Sequence, residues 1–240
     1  MARRGRLIAI EGRSAAGKTT LVHVAARKLG WQPLGEAFDR LDPAPSLQFG
    51  SPRELALLEG VLLAEEARRY REARRLCARG RTVLADTGFL GPLTYTRGLV
   101  ELGWAPASVG QSVERSARSL VRRRALGLPD LTVYLETTTN ERARRARTDA
   151  NHHPVPLFRR HEAVGEVERR YLAEVFPAAL PGRFRTLRAR SRPLALVPAL
   201  RSLVEEADPT PASRAQALAL VSLLRLPARD GRRTNVGPNR

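Results

Sequence analysis

Short apolar runs alternate with amphipathic stretches along most of this chain. Leu7 to Ile10 are uninterruptedly apolar, and residues 6–10 read as a strand buried on both faces of a parallel sheet. Leu21, Val24, Ala25 and Leu29 then recur at helical spacing, and Gly30 stands where that helix should stop. A short strand is expected over 31–36. The proline- and Asp-bearing segment 39–52 reads as a loop, and Ser51-Pro52 opens a long helix over 53–79, closed by Gly80. Further strands are expected over 82–86, 131–136 and 183–187. Between them fall a glycine-broken helix over 87–103, a helix over 107–126, an arginine-dense helix over 140–147, a loop over 148–156 and a helix over 158–176. A helix over 193–206 follows the last strand. This alternation implies an α/β protein whose parallel sheet carries helices on both faces. Beyond Asp208 the pattern changes to a Pro-Thr-Pro break, a helix over 212–224 expected to pack on the domain, and a tail of disordered composition. The expected division is a main domain over 1–208 and a C-terminal extension over 209–240, without internal repeats.

Composition narrows this picture. Hydrophobic residues are 42% of 240 positions, enough for one α/β domain with a buried core and cramped for two. Net charge is +18, nearly all of the basic residues being arginine, since Lys18 and Lys28 are the only lysines. A GC-rich coding sequence produces the same arginine and alanine bias, so charge alone does not define a surface. It favours anionic partners such as nucleotides, and non-specific contact with nucleic acid; a dedicated nucleic-acid function lacks a recognition module, and aromatic content is only 5%. Cys77 is the single cysteine, which excludes an intrachain disulfide, and His23, His152, His153 and His161 have no metal-ligand spacing. The apolar run after the basic start is too short for a signal-peptide core, and no segment approaches membrane-spanning length, so a cytoplasmic protein without a membrane partner is expected.

The candidate chemistry begins where the first strand runs into Gly12-Arg13-Ser14-Ala15-Ala16-Gly17-Lys18-Thr19, a Gly-x-x-x-x-Gly-Lys-Thr loop, followed by Thr20 and the helix. Its glycines let successive N–H groups converge on phosphate oxygens, and the helix start adds the positive end of its dipole. Lys18 is placed to reach the β- and γ-phosphates and Thr19 to ligate Mg²⁺. Ligands of parallel sheets sit beyond the carboxyl ends of the strands. Asp86 ends the third strand and is a candidate Mg²⁺ ligand; Glu36 ends the second and is a candidate proton acceptor, with Asp39 as the alternative. Arg142, Arg144, Arg145 and Arg147 lie on a helix next to a loop, the arrangement of a lid that carries positive charge onto a transferring phosphoryl group. Helical spacing puts Arg142 with Arg145 and Arg144 with Arg147, so at most half face one ligand. In the long helix Glu59, Glu65, Glu66, Arg68, Arg69 and Tyr70 crowd the middle; most of these charges are expected on its wet face, and Gly60 leaves room for close approach.

The segment IAIEGRSAAGKTT resembles the phosphate loop of the deoxynucleoside kinases and the related thymidylate kinases. ARGRTVLADTGFLGPLTYTRG is similar to the thymidylate-kinase stretch in which a strand ends in Asp-Arg and a Tyr follows, placing Asp86 and Tyr95 in those roles. PDLTVYLETTTNERARRART and FRRHEAVGEVERRYLAEV resemble the family's fourth strand with its lid helix and the helix after the lid, so the resemblance covers about residues 6–206. It implies a P-loop three-layer sandwich, a five-stranded sheet in the order 2-3-1-4-5 with a lid, and Mg²⁺-dependent transfer of the γ-phosphoryl of ATP (or GTP). By the same resemblance Gly12, Ser14, Ala15, Ala16, Gly17, Lys18, Thr19 and Thr20 would bind the nucleotide with Arg145, Arg147 would be a further lid arginine, Glu36 would be the general base, and a homodimer is possible.

Departures fall on the acceptor side. The family's Arg after the strand-3 acid is Thr87 here, the acid in the thymidylate-kinase phosphate loop is Ser14, and the base-recognising Arg aligns near Glu65. Loss of cationic contacts favours an uncharged or cationic small-molecule hydroxyl, with Glu36, Arg40, Glu59, Glu66 and Tyr95 as candidate acceptor contacts. The expected activity is phosphorylation of a nucleoside or nucleoside-like compound. The alternatives are a monophosphate kinase with acceptor arginines from elsewhere (Arg40 or Arg97), an amino-sugar antibiotic phosphotransferase, and an NTP-binding regulatory protein that transfers nothing.

Overall fold

The computed structural model describes residues 4–42, 51–148, 155–189, 192–208 and 210–225. Its elements are β1 (Leu7–Glu11), α1 (Lys18–Leu29), β2 (Gln32–Leu34), α2 (Pro52–Ala78), β3 (Val83–Asp86), α3 (Gly91–Glu101), α4 (Ala107–Arg122), β4 (Leu131–Glu136), α5 (Thr139–Thr148), α6 (Val155–Arg170), α7 (Phe176–Ala179), β5 (Phe184–Arg188), α8 (Pro193–Glu206) and α9 (Arg214–Leu223). The five strands pair in parallel, as the alternation predicts, in the order β2-β3-β1-β4-β5 that the family resemblance implies.

Because strand side chains alternate between faces, β1 feeds two cores. Leu7 and Ala9, with Val83 and Ala85 of β3, meet α2, α3 and α4 on one face. Ile8 and Ile10, with Leu84, Leu131 and Val133, meet α1 and α8 on the other. The central strands are buried on both sides, so their backbone ends are held rigidly at the edge where the phosphate loop emerges.

Several boundaries differ from the sequence reading for identifiable reasons. The segment 87–103 holds one continuous helix, α3, rather than a broken one. Gly98 sits inside it because a Cβ there would come 2.7 Å from Val164 Cγ1 on α6; the glycine serves close packing. Val155 and Pro156, expected in a loop, open α6, while 149–154 lie outside the described residues. The helix after the lid widens into a π-helical segment, Tyr171–Val175, directly before Pro177, whose ring and missing N–H are incompatible with the regular ladder. In the C-terminal extension, α9 begins with a capping box at Ser213 and buries Ala217, Leu220 and Val221 against α4. The expected disordered tail, 226–240, lies outside the described residues. No helix is long and apolar enough to cross a membrane among the described residues.

Candidate active site

The phosphate loop joins β1 to α1 through backbone that bends back on itself. Gly12, Ala15 and Gly17 have φ of 154°, 58° and 94°, and Ala16 N–H donates to the Arg13 carbonyl at 3.1 Å. A left-handed Ala between two positive-φ glycines turns the N–H groups inward, the arrangement that binds anions. Lys18 opens α1, and its Nζ lies 3.4 Å from the Arg13 carbonyl, folded over the loop. Ser14, Thr19 and Thr20 are exposed on the rim, and Ala16 is buried beneath it.

The lid helix α5 is tied to this loop. Arg145 Nη1 donates to the Ala16 carbonyl, and its Nε is 2.8 Å from Glu141 Oε1. A Cβ on Gly17 would come 2.8 Å from the Arg145 guanidinium, a contact the flexible arginine could relieve, so the φ of 94° is what requires glycine there. Arg142 is fully buried and binds Glu162 of α6, the carboxylate that also takes Arg13 of the loop at 2.7 Å. Loop, lid helix and α6 therefore share one carboxylate. Arg144 pairs with Glu141 on the surface, and Arg147 is exposed. Beside the loop lies a cavity of about 1010 Å³, lined among others by Gly17, Thr20, Arg145, Arg169, Arg188 and Arg192. It sits at the carboxyl ends of β4 and β5 and carries positive charge, the surroundings that a nucleoside triphosphate requires.

The opposite side of the loop, at the ends of β1, β2 and β3, is built from carboxylates. Asp86 ends β3 with 2% of its surface exposed, and its Oδ1 has no hydrogen-bond partner. Thr87, which follows it, has φ of 62°, a strained conformation for a β-branched residue that turns the chain sharply away from the sheet edge. Glu11 ends β1 and accepts from Gly88 N–H at 2.7 Å; a Cβ on Gly88 would come 2.3 Å from that carboxylate. Burial, reinforced by Glu168, pushes the Glu11 pKa up to about 8. Glu36 follows β2, half-buried, and burial raises its pKa; Lys18 pulls in the opposite direction, while Asp86 adds to the rise.

Helix α2 contributes the rest. Leu55, Glu59, Leu63, Glu66, Ala73 and Cys77 are all buried, so Glu59 and Glu66 occupy its inward stripe, not the wet face expected for these charges. Glu65 and Arg69 are buried as well, whereas Arg68 is exposed as expected. Arg69 has no exposed surface: Nη1 is 2.5 Å from Glu66 Oε2, Nη2 donates to the Asp86 carbonyl at 2.7 Å, and the group lies 5.4 Å from the Phe89 ring centre. Burial still outweighs this pairing and raises the Glu66 pKa to about 7. Glu59, 1% exposed with Oε2 unpartnered, is pushed up to about 8 by burial and by Glu168. Glu168 of α6 accepts from Thr94 Oγ1 of α3 at 3.3 Å, and burial raises its pKa to about 7.

Lys18, Glu36 and Asp86 thus come together electrostatically at one sheet edge, with Arg145 over the loop. Tyr95 is half-buried on α3 and packs against the core beneath. Asp39 is exposed. The candidate acceptor arginines are otherwise engaged: Arg40 bridges Glu65 at 3.0 Å and Glu72 at 2.9 Å, and Arg97 bridges Glu101 and the Arg225 carbonyl. Sequence reasoning missed Glu11, Arg69 and Glu168. Glu11 carried a signal, an acid ending a buried strand; Glu168 carried none, because only tertiary packing brings that position of α6 to Thr94 of α3.

No family model and no curated protein matches the sequence. Solved structures do match in three dimensions. Deoxyadenosine kinase from M. mycoides with bound dATP superposes with a TM-score of 0.62 at 15% identity, over 83% of this chain and 100% of that one. Thymidylate kinase from Candida albicans gives 0.60 at 16% identity, over 84% of this chain and 92% of that one. The chain has the fold of these P-loop kinases. At such identity the agreement concerns the architecture.

Proposed function

We propose that the protein is an ATP- or GTP-dependent, Mg²⁺-dependent phosphotransferase acting on a hydroxyl of a nucleoside or nucleoside-like small molecule. The observation that carries this reading is the loop between β1 and α1, with positive φ at Gly12, Ala15 and Gly17 and Lys18 folded over it, at the sheet edge where Asp86 ends β3 and Glu36 follows β2. A phosphate-binding ammonium, a candidate metal ligand and a candidate proton acceptor then lie along one edge of the sheet.

The loop amides and Lys18 hold the triphosphate with its terminal phosphoryl group facing β2 and β3. Arg145, already seated on the Ala16 carbonyl, supplies positive charge from the lid side as charge spreads over the phosphoryl oxygens. Glu36 takes the proton of the acceptor hydroxyl, the hydroxyl oxygen bonds to the γ-phosphorus, and the bond from that phosphorus to the β–γ bridging oxygen breaks, releasing the nucleoside diphosphate. The buried, unpartnered Asp86 Oδ1 fits a cation ligand, and with Thr19 it would hold Mg²⁺. Bound there, Mg²⁺ neutralises phosphate charge. Arg69 acts through Asp86: gripping its carbonyl, it fixes the strand end.

The monophosphate alternative loses support from the occupied donors of Arg40 and Arg97. ADP release from the full chain with ATP and Mg²⁺, with and without a panel of nucleosides, nucleotides and aminoglycosides, tests the reading. Acceptor-dependent release with a phosphorylated product is expected, and slow release indifferent to every acceptor would return the protein to the class of NTP-binding regulators.

A further inference from the structure

The arginines paired around the acceptor face, with Arg13 reaching in from the other flank, are already committed. Arg69 holds Glu66 and the Asp86 carbonyl, Arg40 holds Glu65 and Glu72, and Arg13 holds Glu162 and Glu166. Lys18 is the phosphate-loop ammonium, and in turnover its charge goes to the donor. Glu59 and Glu168 remain, on helices α2 and α6, each raised by burial and with Glu168 further raising Glu59. Glu59 is the decisive group: 1% exposed, with Oε2 lacking any partner among the described residues. A buried carboxyl oxygen without a donor is destabilising, and a glutamate on the inward stripe of a helix is a poor choice for packing alone.

Among the described residues Glu59 and Glu168 belong to no group of three or more His, Cys, Asp or Glu side chains arranged to hold a metal ion, and an organic cation matches their charge. Resting on the kinase reading, we infer that the acceptor carries a protonated amine, seated between Glu59 and Glu168, while its hydroxyl lies at Glu36. An ammonium supplies donors for the unpartnered oxygen and offsets two carboxylates that otherwise repel each other. A nucleoside monophosphate would bring its phosphate to this same acidic face and be disfavoured.

The test uses matched pairs with the full chain, ATP and Mg²⁺: kanamycin against its fully N-acetylated form, and 3′-amino-3′-deoxythymidine against thymidine, with thymidine 5′-monophosphate as a further arm. ADP release and product mass are read. The expected result is a kcat/KM for the amine at least about tenfold above its neutral counterpart in one pair or both, and loss of that preference in Glu59→Gln and Glu168→Gln through KM rather than kcat. Both substitutions remove charge at nearly constant volume, and affinity for a fluorescent ATP analogue reports that each variant is folded. Neutral compounds or the monophosphate used as well as or better than the amines overturn the inference and leave the kinase reading standing. ADP release stimulated by none of the compounds overturns the kinase reading and the inference with it.

Discussion

The two flanks of the phosphate loop share one sheet edge and carry opposite charge. Toward β4 and β5 the cavity is lined by Arg13, Arg142, Arg145, Arg169, Arg188 and Arg192. Toward β2 and β3 the groups are Glu11, Glu36, Glu59, Glu66, Asp86 and Glu168, with Arg69 buried among them. The arginine flank is partly exposed, and apart from the buried Arg142 its charges pair with carboxylates that reach water, at Arg145–Glu141 and Arg13–Glu166. Much of the acidic flank is desolvated, and burial is the leading cause of each raised carboxyl pKa there. A net charge of +18 therefore says little about the acceptor: global charge follows from composition, whereas local charge follows from which side chains the helices turn inward.

Lys18 stands at the seam between the flanks, and its removal should have the largest effect. Lys18→Ala is expected to lower acceptor phosphorylation by roughly 10³-fold or more, because the proposed reaction depends on neutralising phosphoryl charge. Its side chain makes only a 3.4 Å contact with a loop carbonyl, so the thermal midpoint should stay within a few degrees. Turnover and melting measured on one preparation check both halves; retained turnover would remove the seam from the mechanism.

Arg69 tests whether the acidic flank depends on its internal cation. Arg69→Ala leaves Glu66 buried without its partner and frees the Asp86 carbonyl, at an expected cost of about 3 kcal/mol in denaturant unfolding. Adding Glu66→Gln to that variant should recover part of the loss. Absence of any recovery would mean that Arg69 matters through its packing on Phe89 rather than through charge. Glu36→Gln should be milder for stability and specific to chemistry, lowering kcat by about 10²-fold while ATP affinity holds. If ATP affinity fell instead and kcat survived, Glu36 would belong to the donor flank.

The sequence was legible in proportion to how local each signal is. The strands β1, β3 and β4, the helix from Pro193, the Gly30 stop and the phosphate loop all follow from neighbouring residues, and the structure places them within a residue or so of expectation. The donor flank belongs to this class, since glycines, Lys18 and the lid arginines lie in contiguous motifs. The acidic flank does not. Reading Glu59 and Glu66 as inward-facing requires knowing that their stripe of α2 packs toward α3 and the sheet, and helical periodicity left them on a mixed-charge face. Glu168 needs a contact with Thr94, 74 positions earlier in the chain. Gly98 was read as a breaker because its partner, Val164, is likewise far away in the chain.

The subtlest test concerns the pH dependence of stability, where the acidic flank should behave unlike an ordinary wet surface. Burial raises the Glu59 pKa from 4.5 to about 8, with Glu168 adding to the rise. Between these values the folded protein retains a proton that the unfolded chain has released. Stability attributable to this group is therefore highest below about pH 4.5, declines as pH rises, and levels off above about pH 8. Glu59→Gln abolishes that decline. The variant and the parent should melt together near pH 5, and the variant should melt a few degrees higher near pH 8.5, with a smaller slope persisting from Glu168, whose pKa is raised to about 7. Parallel melting curves across that range would show Glu59 ionising as freely as a surface carboxylate, and the contrast between a solvated cationic flank and a desolvated acidic one would lose its strongest member. Repeating the titration with a bound amine sharpens the same point: a cation between Glu59 and Glu168 should favour their ionised forms and flatten the parent's slope.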